Sequence, residues 1–212
     1  MNWASHGRSA NLIPPLPARR AMPKPVRQEQ IAYAVYVTLA CTIVIASLAA
    51  SPGRSGVFGG ALGLLMLAIA AADKRSFIIP DRLTLAAFLL GLVNAANESF
   101  GSTLENIAIA TMRGVLLALG FYILGEIYYR LRQRHGIGLG DVKLAAAVGV
   151  WLDWKLIPIA IEIAALTALT SYAARQLLTK RPFDAAAKLP FGLFFAPAIW
   201  LCWLLNAIFL KP

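Results

Sequence analysis

The sequence predicts an all-α membrane protein, a polytopic bundle of six or seven transmembrane helices, and three observations point there. Of its 212 residues 59% are hydrophobic and only 14% are charged, where a soluble domain carries about a quarter of its residues charged. Mean hydropathy is +0.67. The apolar residues form long unbroken runs instead of alternating, which argues against a β-barrel and leaves helices to satisfy the backbone in lipid.

The opening segment, through Leu12-Ile13-Pro14-Pro15-Leu16-Pro17 to Arg27, is rich in proline and basic residues. It reads as a flexible basic cytosolic tail over residues 1–30, with residues 31–212 as one transmembrane domain. No cleavable signal peptide is expected, because the first apolar run starts near Ile31, too far in. Apolar runs then cover 31–50, 57–72, 83–96, 107–129, 142–152, 156–178 and 189–210. About 20 apolar residues cross a bilayer, so the third and fifth runs are short and need their flanks or a thinner membrane. Trp151 and Trp154 suit an interfacial belt at the far end of the fifth, and Tyr128 and Tyr129 read as interface anchors too.

The net charge of +10 raises nucleic acid as a partner. In a membrane chain, however, excess Lys and Arg normally marks cytoplasmic loops. With a cytoplasmic N-terminus, sixteen of the twenty basic residues fall inside, while Arg54, Lys155 and Lys211 fall outside and Arg113 lies within a span. The sequence therefore predicts a multi-pass inner-membrane protein with that orientation, in contact with lipid and not with nucleic acid. Seven spans leave the C-terminus outside and six bring it inside. Cys41 and Cys202 stand alone in apolar runs, and His6 and His135 are loop residues, so neither a disulfide framework nor a metal site is expected. No cofactor is expected either.

Two acids stand at the predicted cytoplasmic mouth. Asp73 ends the second span and precedes Lys74-Arg75-Ser76-Phe77-Ile78-Ile79-Pro80-Asp81; Asp141 opens the fifth, after Gly138-Leu139-Gly140. Carboxylates at a bilayer rim are costly to desolvate and call for a reason. Brought close, two of them share one proton. One can then take a proton from water while the other donates to a carbonyl oxygen, which is the chemistry of peptide hydrolysis. Gly138 and Gly140 leave room for a backbone to approach. Blander roles exist for each: Asp141 as a cap of the fifth helix, Asp73 as a loop charge beside Lys74 or Arg75. Asp81, after Pro80 and before the third span, reads as that helix's N-cap.

The block from Asp73 to Asp81, with Ile79-Pro80-Asp81 and Leu83-Thr84, resembles the first signature of the type IV prepilin peptidases. Gly138-Leu139-Gly140-Asp141-Val142-Lys143 is similar to the GxGD motif of that family of membrane aspartic proteases, and Leu189-Pro190-Phe191-Gly192 to the apolar PFG segment of its last span. The three occur in order, from about residue 57 to the C-terminus. The resemblance implies catalytic roles for Asp73 and Asp141, supporting positions at Pro80, Asp81, Gly138, Gly140 and Lys143, and a prepilin or pseudopilin as substrate. Bifunctional family members also N-methylate the new N-terminus and carry an insert with paired CxxC motifs. Cys41 and Cys202 form no such pair, so the likeness is to the short, peptidase-only members, such as those serving tight-adherence pili, and methyltransferase activity is not expected.

The positive end of the fifth helix and Lys143 are expected to keep Asp141 ionised as the base, with Asp73 as the acid. Within the spans, Arg113 and Glu162 lie at similar depths and are expected to pair across the fourth and sixth helices. Glu126 is expected to bridge to Arg130. Gly59, Gly60, Gly63 and Ala70-Ala71-Ala72 give the second span a small face for close packing. Three rivals remain. An ion-coupled transporter would place its acids near the midplane in related halves; a non-catalytic scaffold of pilus assembly would tolerate loss of either aspartate; a presenilin-like protease shares GxGD but not the Ile79-Pro80-Asp81 block.

Overall fold

The computed structural model describes residues 26–98, 101–134, 136–179 and 189–210. The proposed tail up to residue 25, His6, His135 and the basic residues Lys180, Arg181 and Lys188 lie outside them. The described residues form seven α-helices: α1 (Val26–Ala50), α2 (Arg54–Ser76), α3 (Asp81–Ala96), α4 (Thr103–Arg132), α5 (Leu139–Trp151), α6 (Leu156–Thr179) and α7 (Phe191–Leu205), the last running into a π-helical turn at Asn206–Leu210. Five stretches are long and apolar enough to cross a membrane: α1, α2, α4, α6, and α7 together with its π-helical turn, over Phe191–Phe209. α3 and α5, of 16 and 13 residues, are the two short elements that the apolar runs had indicated.

The chain divides into two compact units, Met1–Tyr36 and Val37–Pro212. The described part of the first, residues 26–36, is helical. In the second, α2, α3, α5 and α7 surround one core, in which Leu62, Met66 and Ile69 meet Leu144, Val148 and Phe195, all six essentially without exposed surface. α4 packs along α5, and α6 along α7.

Small residues permit these contacts. A Cβ at Gly114 would stand 2.8 Å from the Ala146 carbonyl, and one at Gly149 2.6 Å from that of Arg113, so α4 and α5 cross glycine to glycine. The small face expected on α2 is present: Gly59 lies flat against the Trp203 ring, and a Cβ at Gly63 would come 2.7 Å from Trp200 Cδ1.

Two interface assignments divide. Trp154 is half exposed, whereas Trp151 is buried at 7% exposure and donates from Nε1 to the Ala87 carbonyl of α3 at 2.8 Å. Trp151 is therefore a core residue and not a belt residue, because α5 is short enough for its last turn to end inside the bundle. Trp151→Phe is expected to lower stability by about 1 kcal/mol, the value of one buried hydrogen bond, measurable as a reduced Tm in detergent.

Arg113 and Glu162 do not pair. Arg113 forms its ion pair with Asp153, in the connection between α5 and α6, and Glu162 is exposed on α6. The reason is the packing order: α4 lies on α5 and α6 on α7, so equal depth in the two spans does not make neighbours. The Glu126–Arg130 bridge does form, at 2.8 Å.

Candidate active site

Four helix ends meet at one end of the second unit: the last turn of α2 and the first turns of α3, α5 and α7. α2 stops because Phe77 adopts the left-handed conformation, φ 54°, with its N–H returning to the Asp73 carbonyl at 2.9 Å. That conformation costs a bulky residue roughly 1–2 kcal/mol, and strain of this kind gathers where the chain must be aimed. Its effect is to redirect the connection. Phe77 and Ile78 point outward at 57% and 66% exposure, and Ile79 turns inward at 7%.

Ile79 fills the space between the other two helix ends. A Cβ at Gly140 on α5 would lie 3.1 Å from Ile79 Cβ and 3.3 Å from its Cγ1; one at Gly192 on α7 would lie 2.8 Å from Ile79 Cδ1. The same imagined Cβ at Gly192 would be 3.0 Å from Asp73 Oδ2. The room that Gly140 leaves, expected to serve an approaching backbone, is used in this structure by the Ile79 side chain.

Asp73 is buried at 4% exposure. Its Oδ2 accepts from the N–H of Leu193 at 2.9 Å. The N-cap of α7 is Pro190, which has no side chain able to cap, so the acid on α2 supplies the acceptor that this N-terminus lacks. Asp73 therefore touches the positive end of α7 as well as ending α2. Asp141, third residue of α5, accepts through Oδ2 from the N–H of Gly138 at 3.2 Å, the capping contact foreseen for it. Each acid sits on a helix N-terminus, and Ile79 lies against the first-turn glycine of each of those helices.

Lys143 and Asp81 do something the sequence did not indicate. Lys143 Nζ donates to Asp81 Oδ1 at 2.6 Å, with the two side chains 48% and 73% exposed. Residues two apart face opposite sides of a helix, so Lys143 points to α3 while Asp141 points inward. The lowering of Asp141 expected from Lys143 is not found: burial, with a smaller push from the Asp73 charge, raises Asp141 to about 6, against the pull of the Gly138 N–H. Asp81 is also not the N-cap of α3. Pro80 holds that position and Asp81 is the first helical residue, which frees its carboxylate for Lys143.

Sequence reasoning assigned no role to Ile79, Gly192 or Leu193. The signals were present in Ile79-Pro80-Asp81 and Pro190-Phe191-Gly192, but nothing in one dimension says that an isoleucine in one block fits the glycines of two others.

The family model described as the type IV leader peptidase family matches residues 60–172, a stretch holding Asp73, Asp81, Asp141 and Lys143. Over 162 residues the chain is 33% identical to the prepilin leader peptidase/N-methyltransferase of Burkholderia pseudomallei strain K96243, covering 76% of this chain and 50% of that protein. It is 30% identical over 167 residues to the Escherichia coli K12 protein of the same name, covering 76% and 71%. The match to the Aeromonas hydrophila protein of that name is 28% over 158 residues, covering 74% and 52%. The chain spans about half the length of the Burkholderia and Aeromonas relatives. No solved structure matches it.

Proposed function

The chain belongs to the type IV leader peptidase family, and from that premise we propose that it is an aspartic endopeptidase that removes the basic leader of prepilins or pseudopilins at the cytoplasmic face of the inner membrane, with Asp73 and Asp141 as the catalytic pair. The observation that carries the reading is that both acids stand at the same end of one helical unit, on either side of Ile79. The transporter reading asks for acids near the midplane of broken helices; Asp73 lies in the last turn of α2 and Asp141 in the first of α5, which does not favour it.

In the proposed reaction the pair holds one proton. The ionised carboxylate takes a proton from a water whose oxygen attacks the scissile carbonyl carbon. The protonated one donates to the carbonyl oxygen, and the C–N bond then breaks as the amine leaves with a proton. The substrate's apolar helix would lie in the bilayer and bring its junction with the leader to the rim. Gly138 would permit close approach of its backbone, Gly140 would admit Ile79, and Asp81 and Lys143 would tie α3 to α5. The test is cleavage of a candidate prepilin in membranes by the wild type and by Asp73→Asn and Asp141→Asn. Loss of cleavage in both supports the reading, full cleavage by either removes that acid from the chemistry, and no cleavage even by the wild type favours the scaffold.

A pH dependence follows. Asp141 is raised to about 6 with the Asp73 charge among the causes, so the proton taken there is the one the pair shares, and raising the pH above that value removes it and with it the acid. The kcat/KM is expected to fall by about tenfold per pH unit on that limb, the limb belonging to the pair and not to one residue. Stability responds in a different window. A carboxyl whose folded value lies above its unfolded one binds its proton more tightly when folded, so between about pH 6 and 4 this group increasingly favours the fold. Activity should therefore decline above pH 6 without a matching drop in Tm from this source, and a kcat/KM that stays flat from pH 6 to 8 would contradict the assignment.

A further inference from the structure

We propose that Ile79 is a positioning residue of the peptidase site: wedged between Gly140 and Gly192, it sets how the N-termini of α5 and α7 stand to one another and thereby where Asp141 and Asp73 are held. This rests on the function proposed above.

Three observations carry it. The first is contact. Ile79 touches the α5 glycine at the position before Asp141, and it touches the α7 glycine whose other neighbour is the Asp73 carboxylate. It is thus an apolar group common to both acids' surroundings. The second is aim. Ile79 lies in the short connection between α2 and α3, yet it is among the buried residues of the main core, and the left-handed Phe77 two residues earlier turns it there. A connection of this kind normally runs over the surface. The third is fit. At Gly192 a methyl group would overlap Ile79 Cδ1, and at Gly140 it would press on Ile79 Cβ and Cγ1, so the two glycines and the isoleucine match as a set.

Asp73 cannot shift alone, because its Oδ2 is held by the Leu193 N–H at the same N-terminus that Gly192 belongs to. Asp141 cannot shift alone either, since it is bound to its own helix start through Gly138. The relation between the acids is therefore the relation between two helix ends, and Ile79 lies between those ends. Truncating it leaves the acids' own hydrogen bonds in place and loosens only their spacing.

Because Ile79 Cδ1 occupies the place where a methyl at Gly192 would go, the test is a suppressor pair. Ile79→Val, Ile79→Ala, Gly192→Ala and Ile79→Val/Gly192→Ala are purified in detergent. Each is assayed on a synthetic peptide that joins a basic leader to a 20-residue apolar helix, with the folded fraction measured by size exclusion and Tm. For Ile79→Ala, kcat per folded enzyme is expected to drop about 30-fold with KM changed less than about threefold, and for Ile79→Val kcat is expected to drop only about threefold, since displacements near 1 Å suffice for losses of about 100-fold. Gly192→Ala is expected to lose about 100-fold, and adding Ile79→Val to recover about tenfold of that.

An Ile79→Ala enzyme with wild-type kcat overturns the inference, as does a loss confined to KM or to the folded fraction. If Gly192→Ala does not fold, the graded series at Ile79 decides alone. If Gly192→Ala folds but Ile79→Val worsens it, the wedge is refuted. Failure of the parent reading looks different: cleavage would then survive Asp73→Asn or Asp141→Asn whatever the behaviour of Ile79.

Discussion

Exchanging either Asp73 or Asp141 for asparagine is expected to lower leader cleavage by about a thousandfold, the span that general acid–base catalysis supplies, while leaving the fold largely intact. The second half of that statement comes from the hydrogen bonds. Asp73 holds the Leu193 N–H and Asp141 holds the Gly138 N–H, and an asparagine oxygen can accept from either. What asparagine cannot do is carry or release the shared proton. Alanine separates the two roles at Asp73. Asp73→Ala also strips the capless N-terminus of α7 of the carboxylate that accepts from it, which is expected to cost about 1 kcal/mol of stability beyond the asparagine variant. Two readouts are needed: peptide cleavage per folded enzyme, and Tm in detergent. Asparagine variants that cleave within tenfold of wild type would remove both acids from the chemistry. Asparagine and alanine variants at position 73 with equal Tm would show that the cap contributes nothing.

The legible and illegible parts of this chain differ for physical reasons. Helix existence was legible because continuous apolar runs have one outcome in lipid. The short third and fifth runs duly became helices of 16 and 13 residues. The Glu126–Arg130 bridge was legible because it depends only on spacing along one helix. Neighbour relations were not. Depth along α4 and α6 suggested Arg113 with Glu162, but depth says nothing about which helix stands next to which, and Arg113 met Asp153 instead. Trp151 looked interfacial because tryptophan often is, and it was buried because α3 offers the Ala87 carbonyl. At the candidate site the sequence delivered the acids and glycines as residue types in motifs. It withheld the pairing of Lys143 with Asp81 and the insertion of Ile79, both of which exist only between segments more than 60 positions apart.

Removing the partner of Arg113 is expected to be the most destabilising single change outside the site. The Arg113 side chain is 12% exposed, that of Asp153 67%, and the Arg113 Nε is buried with no hydrogen-bond partner. The guanidinium is thus the group with nowhere to go: eleven residues into α4, a helix apolar enough to span a membrane. Asp153→Asn is expected to cost about 2–3 kcal/mol, near the insertion cost of an unpaired charge in a span and below the 3–5 kcal/mol of a fully buried pair, because Asp153 is largely solvated. Replacing both partners, Arg113→Met with Asp153→Asn, should recover most of that loss, since the pair's desolvation and the orphaned Nε disappear together. Glu162→Gln should add to any of these changes without coupling, its carboxylate having no part in the pair. Unfolding in a denaturing detergent, followed for Asp153→Asn, Arg113→Met/Asp153→Asn, Glu162→Gln, the combinations of Glu162→Gln with each of the other two, and the wild type, measures all of this. A double variant no more stable than Asp153→Asn would mean that Arg113 packs for its shape and not for its charge, and a large coupling between Arg113 and Glu162 would place α4 beside α6 after all.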